Sequence, residues 1–135
     1  MTGIVPDCPC GSQNSYTDCC HRLHCGLITA ESAEQLMRSR YSAYKLGLAD
    51  YLFTTTHPVK QSTHLRQSIS DWAEQVEFYR LEILSSWRGQ ASDKIGKIEF
   101  IAHYRQQNQE LQLRELSRFK RYRKQWVYLD GEIKK

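Results

Sequence analysis

The chain has 135 residues, 40 % hydrophobic and 25 % charged, which suits one compact domain with a short appendage and reads as globular rather than disordered. No apolar run approaches the roughly 20 residues needed to cross a bilayer, so a helical membrane span is excluded. The formal charge of +4 and pI of 8.8 are mildly basic and fall short of the footprint usual for nucleic-acid binders.

The first chemical feature in chain order is a cysteine cluster: Cys8-Pro9-Cys10, eight residues, then Cys19-Cys20. Two close pairs joined by a loop can bring four sulfurs to one point, and four thiolates are a standard closed set for structural zinc. The intervening loop, Gly11 to Asp18, is rich in turn formers and can double back. So short a segment buries little core, so a bound metal would hold it folded. Cys20 is the default fourth ligand; His21 and His24 are chemically competent in its place. Cys25 reads as a small buried or half-buried residue outside the set. A disulfide framework belongs to secreted chains, and residues 1–7 carry neither a basic stretch nor an apolar run. The expectation is a reducing cytoplasm, and a closed site argues against metal-catalysed hydrolysis.

Helices follow. Ser32 and Gln35 have capping-box spacing, Met37, Tyr41, Tyr44 and Leu48 recur at helical intervals, and Gly47 is a plausible stop. Asp50 to Thr56 is expected as a second short helix with Tyr51 and Leu52 turned inward, ended by His57-Pro58. Leu65, Ile69, Trp72 and Val76 form one stripe of a third helix over residues 63–75.

Strand-like alternation takes over from Tyr79. One row is Tyr79, Leu81, Ile83, Ser85 and Trp87; the next is Ile98, Phe100, Ala102 and Tyr104. The third is Leu111, Leu113, Glu115, Ser117 and Phe119, and the last is Trp126 to Leu129, closed by Asp130-Gly131. Four strands at hairpin spacing after three helices imply an α+β fold: helices packed on one face of a curved four-stranded antiparallel sheet, behind an N-terminal zinc knuckle. The expected division is a zinc-binding segment over 1–25 and an α+β domain over 29–135.

The order of these motifs carries a resemblance. The cysteine pattern resembles the SEC-C motif, the zinc-binding module at the tail of the bacterial preprotein translocase ATPase. The runs Leu36 to Tyr44, Ala49 to Leu52, His57-Pro58, Leu81 to Leu84, Glu99 to Arg105, Glu115 to Phe119 and Trp126 to Gly131 resemble the YchJ-like family of uncharacterised bacterial proteins. That resemblance implies a nuclear-transport-factor-2-like (NTF2-like) cone with an internal pocket. Gln13-Asn14-Ser15 stand where the SEC-C loop normally carries glycine and lysines, which sets this loop apart from the one that binds an acidic export chaperone.

Inside such a cone, alternation puts Glu115 on an apolar strand face, where a carboxylate needs a partner or a raised pKa. Arg38, Arg40, His57 and His103 are the available partners, and Tyr41 and Tyr44 share the cavity. The favoured expectation is an ion pair from Glu115 to an arginine of the first long helix. A pocket of Glu115, His57, Tyr41 and Arg40 working as an acid–base enzyme is the alternative, with His57 a general base or a helix-end cap. Arg118, Lys120, Arg121, Arg123 and Lys124, interleaved with aromatics, allow nucleic-acid binding but equally a solvated hairpin end, which is favoured. The leading function is a non-enzymatic zinc-binding module for a protein or small-molecule ligand.

Overall fold

The computed structural model describes residues 7–134; the stretch of the expected 1–25 segment ahead of Asp7 lies outside them. Its elements run α1 (Cys20–His24), α2 (Ala33–Leu46), α3 (Ala49–Thr54), a 3-10 turn (Pro58–Lys60), α4 (Leu65–Gln75), then β1 (Glu77–Arg88), β2 (Ile95–Gln106), β3 (Gln109–Tyr122) and β4 (Gln125–Ile133). The strands form one antiparallel sheet in sequence order, β1-β2-β3-β4. The expected α+β architecture is therefore the observed one.

Local signals set the helix ends. The Ser32 hydroxyl accepts the Gln35 amide, satisfying an otherwise orphan donor of α2. The Gln35 side chain reaches back to the Glu31 amide, one residue earlier than a standard capping box would have it. Gly47 ends the helix in the left-handed region, φ 73°. α2 is buried on nearly all sides. Leu36, Met37 and Tyr41 pack on Phe78, Phe100 and Phe119 of the sheet, while Ala43 joins Leu52 and Ile69 of α3 and α4.

Bulges decide which side chains enter the cone. In β1, Tyr79 and Leu84 have no pairing partner in β2, so the register shifts twice. Phe78, Leu81 and Ile83 then face the core, whereas Tyr79 and Trp87 are exposed. The single row read from alternation, Tyr79 to Trp87, is thus broken, because each extra residue reverses the parity of those beyond it. β4 also outruns its expected end: Asp130-Gly131 lie within the strand, which continues to Ile133. Leu129 is its extra residue, and the shift turns Asp130 outward onto Arg118 while Gly131 sits opposite inward-facing Ser117. The free edge of β4 is covered by the segment after α3: Tyr128 donates to Thr55 and accepts from His57 through the backbone.

Candidate metal centre and cone pocket

Cys8, Cys10, Cys19 and Cys20 place their sulfurs within 4.8 Å of one another. Cys10 and Cys19 Sγ are 3.6 Å apart and Cys19 and Cys20 Sγ 4.0 Å. Four sulfurs at about 2.3 Å from one tetrahedral ion would stand about 3.8 Å from each other, so the donor set fits a metal with all four positions filled by protein. Without a cation the sulfurs compete for protons. A hydrogen bond from Cys20 holds Cys10 down to about 4, the same contact and burial push Cys20 far up, and burial raises Cys19. A divalent ion held by the four sulfurs would take the place of those protons and bind all four as thiolates.

Histidine does not complete the set. The Ser39 carbonyl can only accept, so His24 Nε2 donates to it at 2.8 Å, leaving Nδ1 to accept the Tyr16 hydroxyl at 2.7 Å. Both ring nitrogens are committed, and burial lowers the pKa of the ring. His21 lies outside the sulfur cluster. Cys25 is exposed, not buried or half-buried as expected: it caps the C-terminal end of α1, outside the sulfur cluster.

Hydroxyls surround the sulfurs. Ser12 Oγ lies 3.1 Å from Cys19 Sγ. Ser42, 0 % exposed on α2, donates to Cys20 Sγ at 3.3 Å and lies 3.6 Å from Cys8 Sγ. Arg38, bound to Glu34, also donates to the Cys10 carbonyl at 2.6 Å. Ser39 bonds the Tyr51 hydroxyl at 2.6 Å, and the Tyr51 ring meets His24 edge-on. The polar stripe Arg38, Ser39, Ser42 of α2 is therefore the seat of the cysteine knuckle. Spacing alone makes that stripe a solvent face; its small hydroxyls were the available signal that something packs there.

On the other side of α2 the cone encloses about 170 Å³, lined by Arg40, Tyr41, Tyr44, Trp72, Glu115 and Tyr128 among others. Glu115 does face inward, as alternation requires. Its expected ion pair is absent: among the described residues no arginine lies within ion-pair distance of it. Instead Glu115 Oε2 accepts Ser117 Oγ at 2.5 Å and the Tyr128 hydroxyl at 3.2 Å. Gly131 leaves the room, since a Cβ there would collide with the Glu115 carboxylate. Arg40 Nη1 instead goes to the Leu52 carbonyl and the Thr55 hydroxyl, while its guanidinium covers the Tyr128 ring at 4.6 Å. Burial lowers the Arg40 pKa and holds Tyr41 up to about 12 and Tyr128 still higher, so the phenols stay protonated.

The remaining candidates sit elsewhere. His57 Nδ1 accepts the Val59 amide and caps the 3-10 turn, outside the cone. His103 reaches Glu82, and Arg38 is engaged at the knuckle, so neither serves Glu115. In the basic hairpin, Arg118 grips Asp130, and Arg121 donates to the Ala91, Asp93 and Lys124 carbonyls while covering Trp126. No described helix is long and apolar enough to cross a membrane.

Comparison with known proteins agrees with this architecture. Residues 32–131 match the family model described as the YchJ, middle NTF2-like domain. A UPF0225 protein of Streptomyces coelicolor is 42 % identical over 129 residues, covering 96 % of this chain and 97 % of its own. One from Bordetella pertussis is 41 % identical over 129 residues, covering 94 % and 92 %. The solution structure of a SEC-C motif containing protein from Rhodopseudomonas palustris aligns with a TM-score of 0.86 at 36 % identity, over 95 % of this chain and 98 % of that one. A crystal structure of a SEC-C motif containing protein from Psychrobacter arcticus gives 0.79 at 29 % identity, over 95 % and 82 %. With its cysteine cluster seated on an NTF2-like cone, the chain belongs to the YchJ-like, UPF0225 family.

Proposed function

We propose that this protein is a zinc-stapled binding module of the bacterial cytoplasm, whose cone takes a small ligand. The carrying observation is the sulfur cluster: four cysteine sulfurs within 4.8 Å of one another, two of them in contact with Ser42 of the helix that also walls the cone. Zinc suits four thiolates, and four protein donors leave no position for a substrate, so the metal's role is structural. Thiolates persist in a reducing compartment, which favours the cytoplasm.

Binding is favoured over acid–base catalysis by what surrounds Glu115. Ser117 is fully buried with its hydroxyl given to the carboxylate, and His57 caps a turn outside the cavity. The Ser117 hydroxyl is thus committed to the carboxylate, and the one histidine weighed as a base lies outside the cone.

Metal analysis of protein purified under reducing conditions tests the reading. A single zinc per chain is expected, with cobalt substitution giving the absorption of a tetrahedral tetrathiolate, and Cys20→Ser weakening retention. Metal-free protein with the same fold and stability, or full retention in Cys20→Ser, refutes it.

A further inference from the structure

Two charges in the cone do not meet each other. Arg40 is only 7 % exposed. Its Nη1 serves the Leu52 carbonyl at 2.8 Å and the Thr55 and Thr56 hydroxyls at 2.7 and 3.3 Å. Its Nε and Nη2 have no hydrogen-bond partner among the described residues. Glu115 is similarly half-used: both of its bonds fall on Oε2, and Oε1 accepts none from the described residues. Yet no fully buried side-chain polar atom among the described residues lacks a partner, so these unused edges border open space. The space both residues line is the cone cavity.

We propose that the cone binds a single-ring aromatic carboxylate whose ring also carries a hydroxyl or amino donor. The carboxylate pairs with the free Nε and Nη2 edge of Arg40, and the ring donor bonds Glu115 Oε1. This rests on the reading of the cone as a ligand pocket and adds the chemical class of the ligand.

Size comes first. A cavity of about 170 Å³ slightly exceeds the apolar cavity of about 150 Å³ that takes up benzene. Tyr44, Trp72, Phe78 and Phe119 wall it with rings, which favour edge-to-face contact with another ring. Charge comes next. A buried guanidinium with a free two-donor edge matches a carboxylate bidentately. A hydrocarbon would displace water from Arg40 and leave those donors unpaired, at the full desolvation cost. A cationic ligand would meet the Arg40 charge. Position is last. Tyr128 links the two groups, its ring beneath the Arg40 guanidinium and its hydroxyl on Glu115, so a ligand that lies along it and reaches both carries an acceptor and a donor on one ring.

Titration calorimetry of the metal-loaded full chain with para-hydroxybenzoate, benzoate, phenol and benzylamine tests this. para-Hydroxybenzoate should bind at least about tenfold more tightly than benzoate, which lacks the bond to Glu115, or phenol, which lacks the pair of bonds to Arg40. Glu115→Gln, which keeps an acceptor but loses its charge, should shrink the advantage over benzoate, and Arg40→Lys, which keeps the charge but loses the fork, should shrink the advantage over phenol. Phenol binding as well as para-hydroxybenzoate, or benzylamine binding better, overturns the proposal. If no acid binds, chemical-shift mapping with phenol separates the failures. Shifts at cone residues reject the ligand class alone; no shifts reject the cone as a ligand pocket too.

Discussion

Replacing Ser42 by alanine isolates the link between the cysteine knuckle and the domain. The hydroxyl is fully buried, so no water replaces it, and it faces Cys20 Sγ at 3.3 Å and Cys8 Sγ at 3.6 Å. It has one proton, so only one of these contacts is a full hydrogen bond at a time. A hydrogen bond to a charged acceptor contributes about 1.5–3 kcal/mol, and at about 2 kcal/mol the loss corresponds to about 30-fold in metal affinity. That agrees with the 10–100-fold typical of groups that hold metal ligands in place. The assay is competition for zinc against a chromophoric chelator at fixed pH under reducing conditions. Denaturant unfolding of the metal-free forms separates metal binding from folding. Ser12→Ala, at a less buried contact with Cys19, should lose less. Zinc affinity of Ser42→Ala within about threefold of the parent, a difference below about 0.7 kcal/mol, would refute the reasoning.

Three further outcomes follow from the packing. Gly131→Ala should cost about 1–3 kcal/mol by forcing Glu115 off Ser117 and Tyr128; denaturation should show Glu115→Ala/Gly131→Ala no less stable than Glu115→Ala alone, as shared partners demand. Gly96→Ala should cost more, about 3 kcal/mol or beyond, because its Cβ would lie 2.6 Å from the Gly89 backbone and 3.3 Å from the Ala33 side chain, neither of which is a flexible end; loss of soluble expression or a large drop in Tm reads this. Burial depresses the His24 pKa, so the folded chain binds this proton less readily than the unfolded one. The neutral ring's contribution is then present above the unfolded value of about 6.5 and is lost as pH falls below it. With zinc saturating, the stability gap between parent and His24→Gln should shrink on acidification, and a gap that widens contradicts the assigned tautomer.

Local chemistry made much of the fold readable. The Ser32 cap and Gly47 stop bound α2, since each acts within a few residues of backbone. Uninterrupted alternation in β3 placed Glu115 and Ser117 on the inner face, because a period of two holds wherever no bulge intervenes. The four cysteines stood out by spacing and chemistry alone. Only the tertiary structure sets the histidines aside: both His24 nitrogens are occupied by Tyr16 and Ser39, and His21 lies outside the sulfur cluster.

Tertiary structure alone decided the partners. Glu115 was expected on an arginine, yet the extra residue Leu129 in β4 brings Gly131 opposite Ser117, and inward-facing Tyr128 meets the carboxylate. Arg40 was drawn instead to the carbonyl and hydroxyls at the end of α3. The Arg38-Ser39-Ser42 stripe became a buried seat because the knuckle folds back onto it across up to 34 residues. Caps and alternation are set by neighbours in the chain; bulge positions and long-range docking depend on how whole elements pack, and one inserted residue reverses every side chain beyond it.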